Sequence, residues 1–275
     1  MNAIEYAQKA SKLFAVPQTA LDIKKLSDSG TADMKDISTV IAGDPGLAAH
    51  VLKLANSAVY RFSRKIESLE KAIQIIGVNS VYEFALAFSV SDSLTREHRK
   101  FIDVKNFWFQ SLCCGLLAKK IALACKEKDV SRLFMAGLFH NIGELAVLRI
   151  NPGLAKDCQG FSELKLPKHH QQDLLGFSYA EISASLLQKW LLPDSIVSAV
   201  AMQHHDDTPA PIDEVQILQL SYVLSLVATY PEYYRINLML PEFLHASIGL
   251  DLNRVTDILE DARHQTQETV SLFAD

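Results

Sequence analysis

A chain of 275 residues, 49% hydrophobic and 21% charged, is long enough for one large core or two modest ones and has the composition of an ordinary soluble globular protein. Its formal net charge of −5 provides no general field for nucleic acid or anionic lipid. The N-terminus lacks the basic and continuous apolar regions of a signal peptide, and no stretch reads as approaching the roughly 20 apolar residues of a membrane span.

Helix punctuation runs through the chain. A first helix precedes Val16-Pro17, and a short one around Leu21–Leu26 ends at Ser27–Gly30. Met34–Ala42 is stopped by Gly43; Asp44-Pro45 then gives an N-cap followed by proline, which starts a helix carrying Leu47, Val51 and Leu54. Ser68 caps Leu69–Ile76, Gly77 stops it, and Asn79 is expected to cap a helix running to about Leu94. The polar stretch Thr95–Lys100 reads as a lobe boundary. Asp103 caps a long helix through Cys125, and a central helix spans about Ser131–Arg149 before Asn151-Pro152.

Ser178 with Glu181 forms a capping box for a helix ending near Trp190. Beyond Leu192-Pro193 another helix reaches His204-His205, and Thr208–Pro211 is a loop. Helices are expected over Asp213–Thr229, near Pro241–Ser247, and from Asp251 to about Phe273. Alternating strand patterns are hard to find and no internal repeat is present, so the fold class is all-α. Cys113, Cys114, Cys125 and Cys158 have no metal-finger spacing and read as reduced thiols, which places the chain in the cytoplasm.

Leu133–Leu148 is an apolar run with His140-Asn141 in its middle. Polar side chains inside a core need a partner or a role. Three stretches carry a family likeness: IAGDPGLAAHVLKLANSAVYRFSRKIESLEKAIQIIG, Ile41–Gly77; FWFQSL with GLFHNIGEL, Phe107–Leu112 and Gly137–Leu145; and GFSYAEISASLLQKWLLPDSIVSAVAMQHH, Gly176–His205. Together they resemble the HDOD family, the HD-related output domain of bacterial signalling proteins. The resemblance implies a compact multi-helix architecture with two helical lobes, residues 10–100 and 101–205 of a domain over 10–205, followed by a helical extension over 206–275 that packs on it.

The resemblance also implies where divalent metals would sit in catalytic HD relatives, and there this chain departs from the pattern. Gln110 stands where a histidine is expected, Asn141 where the aspartate of the His-Asp pair is expected, Tyr179 where another histidine is often found, and Tyr222 where a late aspartate is expected. An amide offers a cation only a neutral carbonyl. His140, His204 and His205 stay as candidate ligands, and Glu144, one turn beyond His140, is a candidate substitute carboxylate or histidine partner. The ordinary explanation of His140 is burial with a hydrogen-bond partner, and of His204-His205 the end of a helix.

His169-His170 are expected to face solvent, Phe107-Trp108 to pack in the core, Asn56-Ser57 to make a tight polar turn, and Arg61, Arg64 and Lys65 to form a solvated basic loop. These readings give a bacterial regulatory protein without phosphohydrolase activity, expected to need no metal or other cofactor. It would act on other signalling proteins or sense a ligand, with a small nucleotide as one candidate. The alternative is a metal-dependent phosphodiesterase using His140, His204, His205 and Glu144.

Overall fold

Side-chain caps set most of the helix starts. The computed structural model describes residues 1–30, 33–94, 97–162, 165–204, 214–239 and 249–274. Within them every regular element is helical, and the one β-type pairing is an isolated bridge between Ser162 and Lys165.

The chain opens with α1 (Ala3–Leu13) and α2 (Gln18–Ser29). Asp33 caps α3 (Met34–Ala42) by accepting from the Lys35 and Asp36 amides, and Asp44 caps α4 (Pro45–Ala55) by accepting from the Leu47 amide. Asn56 then closes a loop. Its amide group donates to the Leu52 and Ile66 carbonyls, and its oxygen accepts from the Ile66 amide. Ser68 caps α5 (Leu69–Ile76), and Gly77, at φ 88°, turns the chain into α6 (Val78–Asp92). The expected Asn79 cap is not made: α6 already starts at Val78, so Asn79 lies in its first turn and its side-chain oxygen accepts from the Ser27 hydroxyl at 2.9 Å.

Asp103 caps α7 (Val104–Ala124), which is followed by α8 (Val130–Phe139), α9 (Gly143–Ile150) and α10 (Pro152–Asp157). The single central helix expected over 131–149 is therefore two helices, broken at 140–142. After α11 (Pro167–Leu175), the Ser178–Glu181 capping box starts α12 (Tyr179–Lys189) as expected. Next come α13 (Asp194–Met202), α14 (Glu214–Thr229) and α15 (Ile236–Met239), then the helices Leu252–Thr269 and Ser271–Ala274. The loop expected at Thr208–Pro211 and the helix near Pro241–Ser247 lie outside the described residues, as does His205.

The expectation about long apolar segments needs correction. Among the described residues Val104–Ala124 and the stretch Val130–Ile150 are each long and apolar enough to cross a membrane by length and composition, and α5 with α6, bent by 98°, would pass the same test as a pair. Within this fold most of each is buried against protein, 72% and 83% of the respective windows. Strong apolarity here comes from helices covered over most of their surface by protein.

Residues 1–13 and 94–264 pack as one compact unit, and 14–93 with 265–275 as another. In the first, α7 and α8 cross at two glycines. A Cβ on Gly137 would lie 2.6 Å from the Cα of Gly115, so these backbones approach more closely than any larger residue allows. Trp108, Leu112, Cys113, Cys114 and Phe139 are fully buried there, with the Phe107 and Trp108 rings edge to face at 5.2 Å. In the second unit, Phe273 stacks on Phe88 at 4.8 Å and the His50 ring lies 4.3 Å from Phe88. The end of the chain thus supplies an aromatic ring to the core of residues 14–93.

Candidate functional site

The break between α8 and α9 builds the site. His140 keeps right-handed backbone angles, but hydrogen bonds tighten to a three-residue spacing, Ile142 N–H to the Phe139 carbonyl and Glu144 N–H to the Asn141 carbonyl. Gly143 explains the position of the break. A Cβ there would lie 2.3 Å from the Tyr179 carbonyl oxygen, and its N–H donates to the Ser183 hydroxyl at 2.9 Å. Close packing on α12 fixes the turn and with it the directions of His140, Asn141 and Glu144.

His140 is 1% exposed. Its Nδ1–H donates to the Gly137 carbonyl at 2.7 Å, which leaves Nε2 as the lone-pair nitrogen, buried without a partner among the described residues. The Gln203 side-chain amide donates to the His140 carbonyl at 2.9 Å. Burial pushes the imidazole down to about 4, opposed by the Gly137 hydrogen bond. His204, in the turn after α13, is pushed to about 3 by burial, with Lys168 and His140 adding to the effect. Both rings are neutral at physiological pH. The Tyr222 ring stands edge-on to each, its centroid 5.7 Å from His140 and 4.8 Å from His204.

Glu144 turns elsewhere. Its two oxygens accept from the Asn141 amide at 2.7 Å and the Gln159 amide at 3.2 Å. The partnership with His140 expected from one-turn spacing is replaced by these two amides. Loss of water pushes the carboxyl up to about 7, and the two hydrogen bonds only partly offset it. Gln110, Asn141, Glu144, Cys158, Gln159, Gln171, Tyr179, Tyr222 and Tyr230 line a common cavity with Phe161 and Pro167. Its volume is about 20 Å³, room for one water-sized group.

The structure therefore sorts the expected positions into two neighbouring sets that share Tyr222. Gln110, Asn141, Glu144 and Tyr179 line the cavity, and His140 and His204 meet the Tyr222 ring. Among the described residues no three His, Cys, Asp or Glu side chains are grouped as ligands of one ion. The described donors do not fit the paired divalent metals of a hydrolytic HD centre: two neutral imidazoles meet a phenol ring, and the nearby carboxylate is held by amides. Gln159, Cys158, Gln203 and Tyr230 were invisible as site residues from sequence; Gln159 reaches Glu144 from 15 positions away. Of the adjacent histidines in α11, His169 is exposed, whereas His170 packs its ring on Gly160 instead of facing solvent.

The HDOD domain pattern matches residues 13–206. An uncharacterized protein of Treponema pallidum is 24% identical over 208 residues, which is 74% of this chain and 40% of that protein. Bacillus subtilis YuxH, also uncharacterized, is 32% identical over 89 residues, 32% of this chain and 22% of that protein. The chain thus spans well under two thirds of these relatives. Among solved structures, a Shewanella amazonensis protein provisionally named a phosphohydrolase superposes with TM-score 0.74 at 21% identity, over 99% of this chain and 98% of that one. A Marinobacter aquaeolei protein provisionally assigned to signal transduction gives TM-score 0.70 at 21% identity, over 95% and 60% of the two chains. These likenesses establish the all-α fold.

Proposed function

We propose a signalling role without phosphoester hydrolysis for this chain, which belongs to the HDOD family. The observation that carries the reading is Tyr222, whose ring lies against both His140 and His204 where a hydrolytic centre would need an anionic ligand. The carboxylate of Glu144 is engaged by Asn141 and Gln159, and Asn141 has no negative oxygen to bridge a cation. Folding is served by the same residues: Gln203 ties α13 to the His140 carbonyl, and Gly143 seats α9 on α12. The site then acts as a packed junction of helices, and the protein works through contacts with other signalling proteins or by sensing a ligand.

The rival, a metal-dependent phosphohydrolase, is favoured by one observation. Nε2 of His140 is a buried lone pair without a partner, the form in which an imidazole binds metal. Hydrolysis of bis(p-nitrophenyl) phosphate with added manganese or zinc separates the two. The proposed role gives the same background rate for the wild type and His140→Ala. A wild-type rate that this substitution abolishes, in a protein still folded, would overturn it.

A further inference from the structure

Among the described residues, the cavity beside Glu144 is lined by one carboxylate and by no lysine, arginine or histidine. Burial raises Cys158, Tyr179, Tyr222 and Tyr230, the other titratable groups in its wall, so all are neutral near pH 7. Among the described residues the charge in this wall is therefore that of Glu144. Its hydrogen-bond partners are two neutral amides, which leave the charge uncompensated. An ionised carboxylate nevertheless has about four lone-pair sites, so further donors are accommodated.

Three phenols surround that carboxylate. The Tyr179 hydroxyl is buried without a nitrogen or oxygen partner, beside the Cys158 sulfur. Phe161 stacks on Tyr230 at 4.1 Å, which makes one side of the wall aromatic. A phenol offers a cation either its oxygen lone pairs or its negative ring face. A space of about 20 Å³ takes a group the size of water. Such a group is too small to be a quaternary ammonium, and a single carboxylate suits a monovalent charge.

We propose that this cavity receives a primary ammonium group, with Glu144 as counter-ion and Tyr179, Tyr222 and Tyr230 as its cradle. Three N–H donors reach the Glu144 carboxylate, a tyrosine oxygen and the side-chain oxygen of Gln110, and the positive charge rests among the rings. This names a ligand class for the sensing role above and rests on that reading, in which the cavity has no hydrolytic duty. Hydrolytic activity would refute the reading and still leave ammonium binding measurable.

Thermal unfolding of the full chain tests the proposal with methylammonium, tetramethylammonium and sodium chlorides at matched ionic strength. Methylammonium alone should raise the midpoint, by roughly 2–3 °C at ten times its Kd. Glu144→Gln should abolish the rise. In the wild type the affinity should be about tenfold weaker at pH 6 than well above pH 7, because protonation removes the counter-ion. That profile keeps the test open if the variant does not fold. An equal response to sodium or tetramethylammonium, an undiminished response in Glu144→Gln, or a flat pH profile would overturn the proposal. An N-acetyl-lysine methyl ester arm identifies the source: a response there admits a protein lysine, and a response to methylammonium alone restricts the site to small free amines.

Discussion

Gly137→Ala probes the helix crossing that positions the whole site. The added Cβ would lie 2.6 Å from Cα and N of Gly115 and 2.7 Å from the Cys114 carbonyl carbon. All three are backbone atoms of α7, so no side chain is available to swing aside. Ordinary contact begins at 3.4 Å, which means that α7 and α8 must separate by about 0.8 Å. Overpacking on this scale costs roughly 1–3 kcal/mol. Alanine's better helix propensity returns up to about 1 kcal/mol, leaving a net loss near 1–2 kcal/mol. For a chain of this size that lowers the thermal midpoint by roughly 2–4 °C. Differential scanning calorimetry of wild type and variant measures it directly. A midpoint equal to or above that of the wild type would show that the crossing is loose and refute the argument that these backbones approach too closely for any larger residue.

Leu191 and Lys126 are exposed residues held at φ 57° and 61° just after α12 and α7, so replacing either by glycine should stabilise the protein by about 1 kcal/mol in urea unfolding. Asn56→Ala removes three hydrogen bonds and leaves the Ile66 amide without its acceptor. It should cost about 2–3 kcal/mol and speed hydrogen exchange at Ile66. The buried imidazoles of His140 and His204 take up protons at about 4 and 3 when folded instead of the ordinary 6.5. The unfolded chain therefore binds more protons in that window, and their stabilising contribution is complete above about 6.5 and lost on acidification. Glu144 acts oppositely, since its carboxyl is raised from 4.5 to about 7: its contribution is complete below 4.5 and lost as pH rises to 7. Stability-versus-pH curves should lose part of the acid limb in His140→Gln and the neutral limb in Glu144→Gln.

Features set by neighbours in the chain were legible before the structure. Asp44-Pro45, Ser68, Asp103 and the Ser178–Glu181 box all cap the helices they announce, because capping is a matter of two or three residues. The break at 140–142 was not legible: Leu133–Leu148 reads as continuous apolar helix, and the turn sits where Gly143 lets the backbone approach the distant Tyr179 carbonyl. Asn79 is not the cap because the Gly77 turn starts α6 at Val78, and its oxygen accepts instead from Ser27, 52 positions earlier. In the site, the loss of a carboxylate at Asn141 was plain from its identity. That Glu144 pairs with Gln159, or that Tyr222 touches both histidines, depends on tertiary packing that no local pattern encodes.

Metal content separates a packed junction from a metal centre. Protein purified without chelator and without a histidine tag is assayed by mass spectrometry of the elements, beside His140→Ala. A packed junction gives well under one transition-metal ion per chain, with no difference between the two proteins. Near-stoichiometric metal in the wild type, lost in a folded His140→Ala, would contradict it and restore a hydrolytic centre around His140.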